Sequence, residues 1–221
     1  MASTGDTILL LVEAHLHSAF GPDSVRASVS FLGTEKIEVL RFGPDADGVV
    51  RYASLGMSRY PMADPGADLV AQHGPRAELV LSVRDQHDDV LRRLAILAAS
   101  PSVEGVVIAP GAGLDLGEPL WEGARFTAVL VGEPGGLVPD LELDGDLGGD
   151  SSDDPGSVFG GSFSTHAASE PEEPVRFLPL LAMTPNEAAW KRVHGATALQ
   201  ERWLAQGLDL RDPRRREADL A

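Results

Sequence analysis

Ser58, in the run Gly56-Met57-Ser58-Arg59-Tyr60, is the side chain whose spacing first suggests bond chemistry. A serine on a tight turn can attack a carbonyl if a base takes its proton. The run has no second glycine, so it is not a nucleophile elbow. It reads more simply as a backbone turn at Gly56 with Ser58 satisfying local amides. A hydrolase therefore stays open only as an alternative, built on Ser58 or an Asp with a histidine gathered from elsewhere. The six histidines are His15, His17, His73, His87, His166 and His194. None has a partner four residues away on a helix, the spacing of a zinc pair, so no metal is expected. Asp144-Gly145-Asp146-Leu147-Gly148-Gly149-Asp150 begins like a calcium loop. It lacks the closing glutamate and has Gly148 at a ligand position, so it reads as solvated charge. Gly111-Ala112-Gly113 and Gly160-Gly161 are too short to cradle a phosphate. No cofactor is expected.

The composition narrows the remaining classes. The chain has 221 residues and no cysteine, which excludes disulfides and thiolate chemistry. Its formal charge is −16, and eleven of its acids lie in 126–175, where there is no Lys or Arg. Such a surface repels nucleic acid, whose binding rests on neutralising phosphates. No apolar stretch approaches the length of a membrane helix, and Met1–Phe20 lacks the basic start of a secretory signal. A cytoplasmic protein is expected, with no membrane contact.

The positions of these residues follow from periodicity. Ile8, Val12, Leu16 and Phe20 recur every four residues, and Gly21-Pro22 ends that helix. Val25–Phe31, Lys36–Phe42 and Val49–Leu55 read as a meander of three strands, with a tight turn at Pro44–Gly48. Residues 56–77 read as a loop, 77–83 as a strand, and 88–99 as a helix closed by Ser100-Pro101. A brief strand is expected at Val106–Ile108, a loop at 110–118 and a buried strand at 126–131. Residues 144–174 hold too few apolar side chains to offset their ordering entropy, so a disordered acidic insert is expected there. The strongest local signal follows. A strand at 175–181 runs into Thr184-Pro185-Asn186-Glu187, in which threonine caps, proline opens the helix and glutamate reaches back. Helices are expected at 185–194 and 196–206, with a break at His194-Gly195. The fold class is α+β, a mostly antiparallel sheet flanked by helices. A single domain over 1–221 is expected, with 208–221 as a tail. Trp190 and Trp203, on helices beside apolar neighbours, read as core. Trp121, on a loop after Pro119-Leu120, reads equally as core or as an exposed contact residue.

Three blocks in this order resemble the suppressor of fused family. They are Tyr52-Ala53-Ser54-Leu55-Gly56-Met57-Ser58 with Pro61-Met62, then Ala77–Val83, then Val175–Leu181 with Thr184–Trp190. The resemblance spans roughly 40–207. It implies a non-enzymatic protein-binding domain. The family's animal member restrains a transcription factor by gripping a peptide, and bacterial members are associated with toxin–immunity loci. A protein partner follows as an expectation, either a basic toxin drawn by the acidic surface or a peptide segment added to a sheet edge. The expected contact residues are Gly56, Met57, Ser58, Tyr60, Met62 and Trp121, on a groove between Gly56–Met62 and Pro110–Trp121.

Overall fold

A computed structural model describes residues 3–30, 35–62, 74–143 and 173–221. Helix α1 spans Thr4–Phe20 and is followed by β1 (Val25–Val29), β2 (Ile37–Phe42) and β3 (Val49–Leu55). After one 3-10 turn at Met57–Arg59 come β4 (Arg76–Arg84) and α2 (Asp89–Glu104). The chain continues through β5 (Gly113–Asp115), β6 (Ala128–Val131) and β7 (Val175–Met183). It ends in α3 (Pro185–His194), α4 (Ala196–Ala205) and an irregular segment. The strands form one sheet in the order β1-β2-β3-β4-β7-β6-β5. Every pairing is antiparallel except that of β4 with β7, which is parallel. The class is therefore α+β with a mostly antiparallel open sheet, as the element pattern predicts.

Alternation along β7 explains how four helices are placed. Side chains two apart share a face. Val175 and Phe177 pack with Ile8, Val12 and Leu16 of α1, and Met183, on the same side, packs with Ala188, Leu199 and Trp203 of α3 and α4. Leu178, Leu180 and Ala182 point the other way and join Val90, Leu94 and Ala98 of α2. One face thus carries α1 and the α3–α4 pair side by side, and the other carries α2. The central strands β4 and β7 are covered on both faces, hence their nearly unbroken apolar runs.

The structure departs from the sequence reading in three places. Helix α2 does not stop at Ser100-Pro101 but runs on to Glu104. Proline cannot donate to the carbonyl of Leu97, and the Ser100 hydroxyl donates to that oxygen instead, at 2.6 Å. The pair that looks like a stop is thus accommodated inside the last turn. Val106–Ile108 forms no strand and pairs with none of the described ones, while the Gly-rich stretch expected to be a loop supplies β5. Strand β4 begins at Arg76, shortening the expected loop. Phe31, His73, His166, the Asp144–Asp150 run and all but the last two residues of the expected insert lie outside the described residues. No described helix is long and apolar enough to cross a membrane.

Candidate functional site

The turn after β3 is tied to the sheet by one buried carboxylate. Glu78 on β4 is fully enclosed. Its Oε1 accepts the backbone N–H groups of Gly56 (2.9 Å) and Ser58 (3.0 Å) and the Ser58 hydroxyl (2.6 Å). Its Oε2 accepts the Ser54 hydroxyl, which in turn accepts the N–H of Leu79. Arg76 closes the turn from below, donating to the carbonyls of Ser58 and Arg59 at 2.9 Å each. Gly56 stands at φ 136°, where an added Cβ would lie 3.0 Å from the Lys36 carbonyl and 3.1 Å from Ile37 Cδ1. Gly56→Ala is therefore expected to destabilise the fold by about 1–3 kcal/mol, read from the shift in urea midpoint at constant slope.

This arrangement answers what Ser58 does. Its hydroxyl has no access to solvent and is committed to Glu78. The hydrogen bonds to the two enclosed carboxylates, Glu78 and Glu187, come from serine, arginine, tryptophan and backbone donors. Among the described residues no histidine donates to either carboxylate. Among the described residues no group of His, Asp and Glu is arranged to hold a metal ion.

The other expected contact residues are spread over the core and two separate concavities. Met57 and Met62 are both buried in the core under α2, and the sulfur of Met62 accepts the N–H of Ile108 at 3.4 Å. Trp121 is 5% exposed rather than projecting from its loop. It stacks on His87, with ring centroids 4.6 Å apart, and leans on Phe126. Burial pushes the His87 imidazole below its ordinary range, so the ring stacks as a neutral group at neutral pH. Met62 lines a hollow with Pro75, Val107 and Leu178, whereas Trp121 lines another with His87 and Asp88. Tyr60, at 58% exposure, is the one member of the set that stands out into solvent.

An apolar concavity lies beside the far edge of the sheet. β5 pairs with β6 alone, and no described strand occupies its other side. The Leu116 N–H and the Ala112 carbonyl point toward β6, so the alternation turns the backbone of Gly113 and Asp115 outward. Beside that edge is a concavity of about 330 Å³ between α2 and residues 106–108. Ile96, Val106 and Val107 line it and are 36%, 37% and 43% exposed. Its acids are Glu104 and Asp115, and Asp115 pairs with Arg192, while Arg93 in the same lining pairs with Glu118. The sequence reading sets its groove between Gly56–Met62 and Pro110–Trp121; Met62 and Pro110 line one hollow, while α2 walls the concavity beside β5.

A second enclosed carboxylate, Glu187, organises the C-terminal third. The capping box is formed as its spacing predicts, with Glu187 N–H donating to Thr184 Oγ1 and Thr184 N–H donating to Glu187 Oε2. The same carboxylate also takes both terminal nitrogens of Arg215, at 2.7 and 2.8 Å, the Trp203 indole N–H and the N–H of Ala218. Burial pushes its titration up. The Arg215 guanidinium and the Thr184 and Ala218 N–H groups outweigh that and hold it below the ordinary carboxylate range. No spacing rule links a helix cap to an arginine 28 residues later.

The profile of the family described as Suppressor of fused protein (SUFU) matches residues 33–216. A putative suppressor of fused homologue from Neisseria gonorrhoeae superposes with a TM-score of 0.62 at 18% identity, covering 94% of each chain. A chain from a Sufu–Fu complex superposes at 0.60 with 12% identity, covering 95% of this chain and 91% of that one. Drosophila Suppressor of Fused superposes at 0.59 with 12% identity, and there the match covers 95% of this chain and 50% of the other. No curated protein matches the chain. At these identities the superpositions speak for the fold, while the profile match spans most of the sequence: the chain belongs to the suppressor of fused family.

Proposed function

We propose that this chain is a non-enzymatic binding domain that holds a protein partner through an extended peptide laid along the outer edge of β5. The observation that carries this reading is the open side of β5 beside the groove that exposes Ile96, Val106 and Val107. A peptide strand gains main-chain hydrogen bonds from the edge, and alternate side chains enter the groove. Apolar groups flanked by Lys or Arg fit best, because Glu104 and Asp115 stand at the groove. The formal charge of −16 also steers a basic partner toward the surface. A relative solved as a Sufu–Fu complex supports a protein as the kind of partner. The role is one of restraint, as in an immunity protein that neutralises a basic toxin by occupying it. Tyr60 adds an exposed aromatic contact from its rigid turn, and Gly56, Met57 and Ser58 serve by fixing that turn.

The test is capture of a partner from native lysate with two surface variants. Val107→Asp places a charge in the groove and is expected to weaken capture about tenfold or more, since a central apolar contact is worth over 1.4 kcal/mol. Leu10→Asp, on the exposed side of α1, alters an equally apolar surface elsewhere and is expected to change nothing. Equal capture by wild type and Val107→Asp contradicts the reading.

A further inference from the structure

We propose that α3 and α4 form a peptide-recognition site selective for arginine, which the chain's own segment 208–221 fills in cis. The guanidinium of Arg215 lies in a cage of the kind proteins use to read a single arginine. It is held end-on by both oxygens of Glu187, and it donates to the carbonyl of Ala182 at 2.7 Å. The rings of Phe126 and Trp203 lie 4.8 and 5.5 Å from its central carbon. A planar fork, a matching carboxylate and aromatic faces together discriminate arginine from lysine.

The contacts on either side of the cage read backbone and small side chains, as a groove does with a bound peptide. Glu187 accepts the N–H of Ala218, and Ala218 is itself buried. Thr184 and Asn186 donate to Glu217. Arg202 donates to the carbonyls of Asp219 and Ala221, and Gln206 both donates to and accepts from Asp219. Between Asp209 and Arg215 the segment has only turns, and Arg84 of β4 donates its N–H to the Arg211 carbonyl at 2.7 Å and pairs with Asp209. Around the cage its contacts are mainly to side chains of α3 and α4, and its tether of a few residues after α4 supplies a high effective concentration. An arginine-bearing peptide of the same form, from a second copy or from another protein, can replace it once the tether is cut.

The experiment places a protease site between Gly207 and Leu208 of the full chain, so that the fold forms before cleavage. A fluorescently labelled peptide of residues 208–221 is then added to the cleaved protein, and unlabelled peptides compete with it. The cleaved protein is expected to keep its near-ultraviolet circular dichroism and to take up the labelled peptide saturably. The wild-type peptide and one carrying Arg214→Lys should displace it equally, because Arg214 is exposed. The Arg215→Lys peptide should compete about tenfold more weakly or worse, as bidentate pairing is lost. Three results overturn the proposal: unfolding upon cleavage, a cut segment that never exchanges, or equal competition by the Arg215→Lys peptide.

Discussion

Glu187→Ala is expected to lower the stability of the fold by about 3–5 kcal/mol, because it leaves Arg215 charged, buried and unpaired. Arg215 retains only 2% of its side-chain exposure and Glu187 none. The substitution also orphans the N–H groups of Thr184 and Ala218 and the Trp203 indole N–H. Glu187→Gln is nearly isosteric, and it should recover only part of the loss, since the amide cannot balance the guanidinium. Urea unfolding followed by tryptophan fluorescence reads both. A loss below about 1 kcal/mol for Glu187→Ala contradicts the assignment, since that is the range of exposed pairs. The same pair sets a pH dependence. The folded-state titration of Glu187 lies below its unfolded value, and Arg215 stays charged throughout. The stabilisation is therefore complete above the ordinary carboxylate range, near pH 4.3, and is lost as the pH falls through the lower folded value. Asp209, held at about 2 by Arg84, moves stability in the same direction over the same acid limb. Glu187→Gln should flatten that limb, and an unchanged acid profile would contradict the linkage.

Glu78→Ala has the second-largest expected effect, about 3 kcal/mol or more, because each buried donor left without a partner costs about 1–3 kcal/mol. Four donors depend on that carboxylate: the N–H groups of Gly56 and Ser58 and the hydroxyls of Ser54 and Ser58. The turn that carries Arg59 and Tyr60 should loosen with it, and amide exchange at 56–60 should rise ahead of global unfolding. Ser58→Ala removes one of the four and leaves the carboxylate its other donors, so about 1 kcal/mol is expected, with partner capture unchanged. If Ser58→Ala abolishes an activity while stability holds, the structural reading of this serine fails.

What the sequence made legible was local. The bounds of β3 and the cap of α3 rest on neighbouring residues, on alternation in one case and on Thr184, Pro185 and Glu187 in the other. Helix α1 was legible for the same reason, with Ile8, Val12 and Leu16 on one stripe. The failures share a different cause. Pro101 looks like a stop because the signal for its accommodation is the rotamer of Ser100. Trp121 reads as equally exposed or buried because its partners, His87 and Phe126, are brought in by other elements. The Glu78 knot joins residues twenty or more apart, and the Arg215 cage joins a helix cap to a tail. The expected groove and the proposed one share the stretch after Pro110, where glycine-rich sequence borders the edge strand. The wall on α2 carries no such signal, since the amphipathic pattern does not mark Ile96, 36% exposed, as a contact residue.

The central claim is that a partner's backbone pairs with the outer side of β5. Amide hydrogen exchange of the chain, free and in complex with the captured partner, tests it most directly. The account predicts slowed exchange at Gly113 and Asp115, whose N–H groups face away from β6, together with protection at 106–108. Unchanged exchange at both stretches in a complex that protects another surface would contradict it.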